Sequence, residues 1–167
     1  CSVLTYFTNA FAKFIISNNS FTETRNLNSI ELPNGVEKIE QSAFQNSSMV
    51  RINLPNTLKS IGDFAFSTTA LEDIVIPNSV TEIGSGAFHS CSKMTKVKLP
   101  DTLTEIKSSM FSRSGIKEIH IPSSVTKIGE WAFQSCDSLT SLEIPNSVTE
   151  IEQYAFSLCR NLASVVL

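Results

Sequence analysis

Apolar positions recur along the chain in a fixed rhythm. Six residues after each proline stands Ile39, Ile61, Ile83, Ile106, Ile128 or Ile151, and eleven after it stands Phe44, Phe66, Phe88, Phe111, Phe133 or Phe156. Three after it comes Val36, Leu58, Val80, Leu103, Val125 or Val148, and ten after it comes alanine, except for Met110 in one copy. Each copy closes on an L-x-x-I-x-L pattern, as in Leu71, Ile74 and Ile76 or Leu139, Leu142 and Ile144. The intervening polar residues vary freely, as SVTEIGSGAFHSC at 79–91, SVTKIGEWAFQSC at 124–136 and SVTEIEQYAFSLC at 147–159 show. The six prolines, Pro33, Pro55, Pro77, Pro100, Pro122 and Pro145, are spaced by 22, 22, 23, 22 and 23 residues. A period of this length marks a stacked array of small units. The one-residue variation falls between the phenylalanine and the closing leucine, so that segment is read as a loop.

Each position predicts an element. The last two apolar residues of the closing pattern alternate with polar ones at period two, the spacing of a strand buried on one face. The proline that follows lacks an N–H and ends the strand. Asn, Asp or Ser comes after every proline, which is turn chemistry. The V-x-x-I stretch is short and extended, a second strand-like segment. A-F-x-x-C and A-F-x-x-S are expected to form a single helical or 3₁₀ turn. The glycine after isoleucine (Gly62, Gly84, Gly129) gives way to Glu40, Lys107 and Glu152, so it is a preference rather than a demand for positive φ. One unit cannot bury its apolar side alone, whereas stacked copies form interior ladders, with about eight strands at ~4.8 Å making a parallel sheet roughly 34 Å long.

Running the register backwards places Ala10 in the first proline slot. Phe21, Leu27, Ile30 and Leu32 then fit, Lys13 and Ser20 do not, and Cys1, Leu4 and Phe7 fall on the preceding closing pattern. The expected organisation is a single array over residues 1–167 of about seven 22–23-residue units, with 1–32 a degenerate lead-in and first unit and 33–167 regular.

Composition narrows the function classes. Hydrophobic residues make up 41% and charged residues 17% of the 167, which is the balance of a folded chain. The net charge is −3 with no Lys/Arg cluster, which argues against a nucleic-acid partner. No apolar run approaches the ~18–20 residues that span a bilayer, so no membrane insertion is expected of this chain. The start of the chain does not read as a signal peptide. Two histidines, His89 and His120, occupy different slots of the repeat and offer neither a nucleophile–base pair nor a metal-ligand spacing, and no phosphate-binding glycine loop is present. No enzyme, cofactor or metal is expected.

The unit L-x-x-I-x-L-P-x-S-V-x-x-I-G-x-x-A-F-x-x-C resembles the BspA-like, or Treponema-type, leucine-rich repeat. The resemblance covers residues 27–167 and extends more weakly to residue 1. It implies a leucine-rich-repeat solenoid, β-rich and of the α/β horseshoe kind, with its parallel β-sheet on the concave face. It also implies a non-enzymatic protein-binding module of cell surfaces, adhesin-like, with host or matrix proteins as partners and a cell-surface or extracellular location. An intracellular scaffold and a structural spacer built from the same repeat are the alternatives, because a fold does not by itself fix a function. The end units could also associate edge to edge.

Residues flanking the middle apolar position of each closing strand should face outward. One column runs Ser29, Arg51, Asp73, Lys96, Glu118, Ser141 and the next runs Glu31, Asn53, Val75, Lys98, His120, Glu143. Arg51, Asn53, Asp73, Lys96, Lys98, Glu118, His120, Ser141 and Glu143 are the candidate protein-binding face. Four neighbours of the first column alternate in sign, which suits either a ladder of salt bridges on a solvated face or a ligand surface. The salt-bridge reading is preferred, because the face lacks the aromatic anchors of binding hot spots.

Cys91, Cys136 and Cys159 share one slot with Thr24, Ser47, Thr69 and Ser114, a small and largely interior position. Adjacent units bring Cys136 and Cys159 within disulfide range, while the parallel run of stacked side chains disfavours the required dihedral. Phe64, Trp131 and Tyr154 share the slot two before the phenylalanine, where partial burial under a loop is expected and an exposed patch is the alternative. Asn18 and Asn46 begin N-x-[ST] acceptor sequences.

Overall fold

The computed structural model describes residues 13–167; the readings placed on Cys1, Leu4, Phe7 and Ala10 lie outside the described residues. The chain winds into a parallel β-solenoid in which units contribute two short strands each, except that the closing position at 118–120 forms no regular strand. The closing strands are Ser29–Glu31, Arg51–Asn53, Asp73–Val75, Lys96–Lys98, Ser141–Glu143 and Ser164–Val166. The second strands are Phe14–Ile16, Val36–Ile39, Ser60–Ile61, Glu82–Ile83, Glu105–Ile106, Lys127–Ile128 and Glu150–Ile151. Every pairing is parallel, and apart from a register shift at Phe14, which pairs with Val36, each repeat slot is set against the same slot one unit on: Asp73↔Lys96 and Val75↔Lys98 in one ladder, Ile39↔Ile61 and Ile61↔Ile83 in the other. Residues 118–120 hold a closing-strand position without regular ladder pairing, so His120 does not lie on a regular strand.

The interior is filled by the recurring letters. Phe44, Phe66, Phe88, Phe111 and Phe133 are fully buried, as are Ile39, Ile83, Ile106 and Ile128. Seven phenylalanine rings, from Phe21 to Phe156, form one column with centroids 5.1–5.6 Å apart. Neighbouring planes lie within 5° of parallel at all steps but Phe111–Phe133, which differ by 20°. The proline turns are closed by one hydrogen bond each: Val36, Leu58, Val80, Leu103, Val125 and Val148 donate their N–H to the carbonyl of the proline three residues earlier.

The expected helical turn around A-F is absent, and the reason is spacing. An α-helix is 10–12 Å across with its side chains, whereas stacked units here are about 5 Å apart. The segment is instead a train of consecutive tight turns. Ala65 N–H donates to Gly62 and Ser67 N–H to Phe64, each three residues back, while Phe64, Phe66 and Thr68 donate across to Ser85, Ala87 and His89 of the next unit. Alternate amides thus close turns and bind the neighbouring unit, which a helix, using its amides internally, could not do. The alternation requires left-handed backbone at two residues per unit. The first slot holds Asn19, Ser42, Phe64, Gly86, Ser109, Trp131 and Tyr154, and the second holds Glu23, Asn46, Thr68, Ser90, Arg113, Ser135 and Leu158, all with φ between 54° and 62°.

The candidate concave binding face

The closing strands put alternate side chains in the core and in solvent. Ile52, Ile74, Val97 and Leu142 are buried, and the residues on either side of each are exposed. Arg51 and Asn53 rise from one strand, Asp73 from the next, and Lys96 and Lys98 from the third, both on the same side because two residues separate them. Glu118 and His120 follow from the segment without regular pairing, and Ser141 and Glu143 from the strand beyond.

A groove of about 620 Å³ lies over this surface. Asp73, Lys96, Lys98, Glu118, His120 and Glu143 line it, and Arg51, Asn53 and Ser141 lie outside its lining. Its walls also include Val75, 64% exposed, and Asp101 on the turn beside it. Neither stood among the candidate residues. Val75 could have been found from its column, where it is the one aliphatic residue among polar neighbours.

The charges of this face are loosely engaged. Of the alternating column only Lys96 and Glu118 meet, at 3.9 Å, with side chains 73% and 78% exposed. Among the described residues Lys98, Asp73, Arg51 and Glu143 form no ion pair. The second strands carry the tighter pairs: Lys107 holds Glu82 at 2.8 Å, and Lys127 holds Glu152 at 2.6 Å and Glu150 at 3.6 Å. Hydrogen bonding and charge from Lys107 hold the Glu82 carboxyl below its ordinary range, and Lys127 does the same to Glu152. The salt-bridge ladder expected on the concave face is therefore found on the other ladder.

The remaining sequence features fall elsewhere. Cys91, Cys136 and Cys159 are free thiols, each donating to the carbonyl of a phenylalanine in the preceding unit, Phe66, Phe111 and Phe133, at 3.0–3.1 Å. Thr24 and Thr69, in the same slot, donate to the phenylalanine carbonyl of their own unit. The slot takes a short side chain, which in its Cys and Thr copies gives a proton to a phenylalanine carbonyl, whereas Ser47 in the same slot is buried without a partner. Burial raises all three thiols, Cys136 to about 11. Burial, then the charge of Arg113, lowers His89, which lies on the turn side away from the groove. Trp131 and Tyr154 stack with centroids 6.3 Å apart and planes 9° from parallel, and they are 39% and 52% exposed, so no loop covers them. Gly86 takes the corresponding slot beside Phe64, where a Cβ would run into the Phe64 ring. Asn18 and Asn46 are both exposed.

Parallel units of 22–23 residues, an interior phenylalanine column and a concave strand face with a groove define a leucine-rich-repeat solenoid. The BspA type leucine-rich repeat region matches in six copies over residues 14–140 and 83–167, and the chain belongs to that family. Among solved structures it is similar to the leucine-rich repeat protein of T. pallidum, at 32% identity and a TM-score of 0.63 over 83% of this chain and 57% of that one. A leucine-rich cell surface protein of Faecalibacterium prausnitzii shares 22% identity, with a TM-score of 0.57 over 89% of this chain and 62% of that one. The pneumococcal vaccine antigen PcpA shares 18%, with a TM-score of 0.58 over 92% and 56%. The chain thus spans less than two thirds of the length of these neighbours. No curated protein is significantly similar in sequence.

Proposed function

We propose that the chain is a non-catalytic protein-binding module of a cell surface, and that it holds its partner on the concave face. The observation that carries this reading is the contrast between the two ladders. Charges on or directly after the second strands, Glu105 excepted, are mated at 2.6–3.6 Å, whereas those of the concave face stand exposed around a groove, with one loose contact at 3.9 Å. Exposed pairs contribute little to stability, so such charges are free to engage a partner at small cost to the fold. Groups of both signs steer association and reject mismatched partners. The surface location draws support from the neighbours described as a cell surface protein and a vaccine antigen. Matrix and host surface proteins are the proposed partners, and the role is attachment.

The test is binding of the chain to immobilised fibronectin and fibrinogen over a salt series, beside a Lys96→Glu/Lys98→Glu variant. Attachment that weakens with salt and falls at least tenfold in the variant is the expected result. Binding of equal strength in both proteins would remove the concave face from the function. No binding to either matrix protein would favour the scaffold or spacer.

A further inference from the structure

The groove has a charge layout of its own. Lys96 and Lys98 stand side by side at its centre, two residues apart on one strand. Carboxylates surround them: Asp73 is one unit back, Glu118 one unit forward, Glu143 two units forward, and Asp101 lies on the adjoining turn. Lys96 leans on Glu118 at the loose 3.9 Å contact, while Lys98 has no ion pair among the described residues. Val75 precedes Lys98 in the same column, paired with it across the ladder, and is 64% exposed. The groove is therefore a cationic centre within an anionic surround, with one aliphatic contact beside the unpaired ammonium.

Resting on the reading of the concave face as the binding surface, we infer that the groove takes an extended protein segment in which an acidic residue and a neighbouring aliphatic residue are flanked on both sides by basic residues. The acidic side chain meets Lys98, the aliphatic one covers Val75, and the outer basic residues meet Asp73 on one side and Glu143 on the other. A ligand of one sign is poorly matched. A polyanion meets four carboxylates, and a polycation meets two ammonium groups at the centre. Opposed like charges penalise wrong partners more reliably than matched ones reward the right partner, so the layout acts mainly through selectivity.

The experiment uses the full chain and three fluorescein-labelled twelve-residue peptides in a glycine–serine framework, followed by anisotropy at low salt. The first carries a central Val and Asp between two pairs of Lys, the second carries acidic residues at all these positions, and the third carries basic ones. The expected result is tightest binding of the mixed peptide, weakened roughly fivefold by Lys98→Glu, one lost charge pair and one gained repulsion. Replacing the central Asp by Lys should restore binding to the Lys98→Glu chain, and Val75→Ser should weaken the mixed peptide without changing its salt dependence. Circular dichroism of each variant checks that the fold is retained. Equal binding of the three peptides, no binding by any of them, or indifference to Lys98→Glu overturns the inference. Because attachment to fibronectin and fibrinogen is measured separately, loss of the peptide preference with that attachment intact would leave the concave face as the binding surface and remove only this partner chemistry.

Discussion

At the scale of single residues, the left-handed positions carry a cost that the array offsets with bonds between units. A non-glycine residue in this conformation costs about 1–2 kcal/mol, and a β-branched one is least suited to it. Thr68 is such a residue, with φ of 58°, an exposed side chain and an N–H bonded to the His89 carbonyl at 2.8 Å. Thr68→Gly keeps that bond and removes the strain, while glycine's extra freedom in the unfolded chain takes back about 0.5–1 kcal/mol. The variant should be more stable by about 0.5–1 kcal/mol in urea denaturation. The buried thiols give a second expectation. Cys136 titrates at about 11 in the fold, against about 8.5–9 when unfolded. Below that range both states hold the proton and stability is flat. As pH rises from about 9 to 11 the unfolded chain releases a proton that the folded chain keeps, so stability falls by up to about 1.4 kcal/mol per pH unit for this group. Thermal midpoints measured across pH 8–11 should show the decline, and Cys136→Ser should make it shallower, with Cys91 and Cys159, also raised by burial, sustaining the rest.

At the scale of elements, the phenylalanine column and the turn train are one device, since the turns set the spacing at which the rings stack. Phe88 lies between Phe66 at 5.5 Å and Phe111 at 5.6 Å and is fully buried. Phe88→Ala should cost about 3–5 kcal/mol by the lost transfer and the cavity left behind. Among the described residues Phe156 has a stacked ring on one side only, Phe133 at 5.3 Å, and it is partly exposed. Phe156→Ala should cost less than half as much in the same chemical denaturation. This element scale was the most legible in the sequence. The closing strands follow directly from period-two alternation and from prolines that lack a donor, and the V-x-x-I strands from a short extended stretch that recurs in every copy. The turn train was not legible, because its signal is spread over slots that accept Ser, Asn and Gly but also Phe64, Trp131, Arg113 and Leu158. Hydrogen bonds to the next unit, which no local pattern displays, override local propensity there. The outward columns were likewise readable from alternation, but the absence of tight pairing among Arg51, Asp73 and Lys96 depends on side-chain reach, which spacing alone does not contain.

At the scale of the whole molecule, each unit is protected by the one that follows it. Trp131, Phe133 and Ser135 donate their amides to Gln153, Ala155 and Ser157. Among the described residues the matching amides of Tyr154, Phe156 and Leu158 have no acceptor. Ile151 is 44% exposed in a slot where Ile39, Ile61, Ile83, Ile106 and Ile128 are buried. Hydrogen exchange should therefore be fast at Tyr154, Phe156 and Leu158 and slower by at least a hundredfold at Trp131, Phe133 and Ser135, and equal protection at both sets would contradict the stacking register. In an array of this kind stability is close to a sum over neighbours, so opening proceeds more readily from an uncovered unit than from the middle.

The stacked pair on the turn side gives this architecture an optical signature. Trp131 is the chain's only tryptophan, and Tyr154, one of two tyrosines, lies 6.3 Å from it. Light absorbed by Tyr154 passes to Trp131 at that separation, so ultraviolet emission is dominated by a chromophore in the units that begin at Pro122 and Pro145. Intrinsic fluorescence thus reads the two units that carry Trp131 and Tyr154, while far-ultraviolet dichroism averages over every strand, and the two signals together resolve local opening from collapse of the whole array.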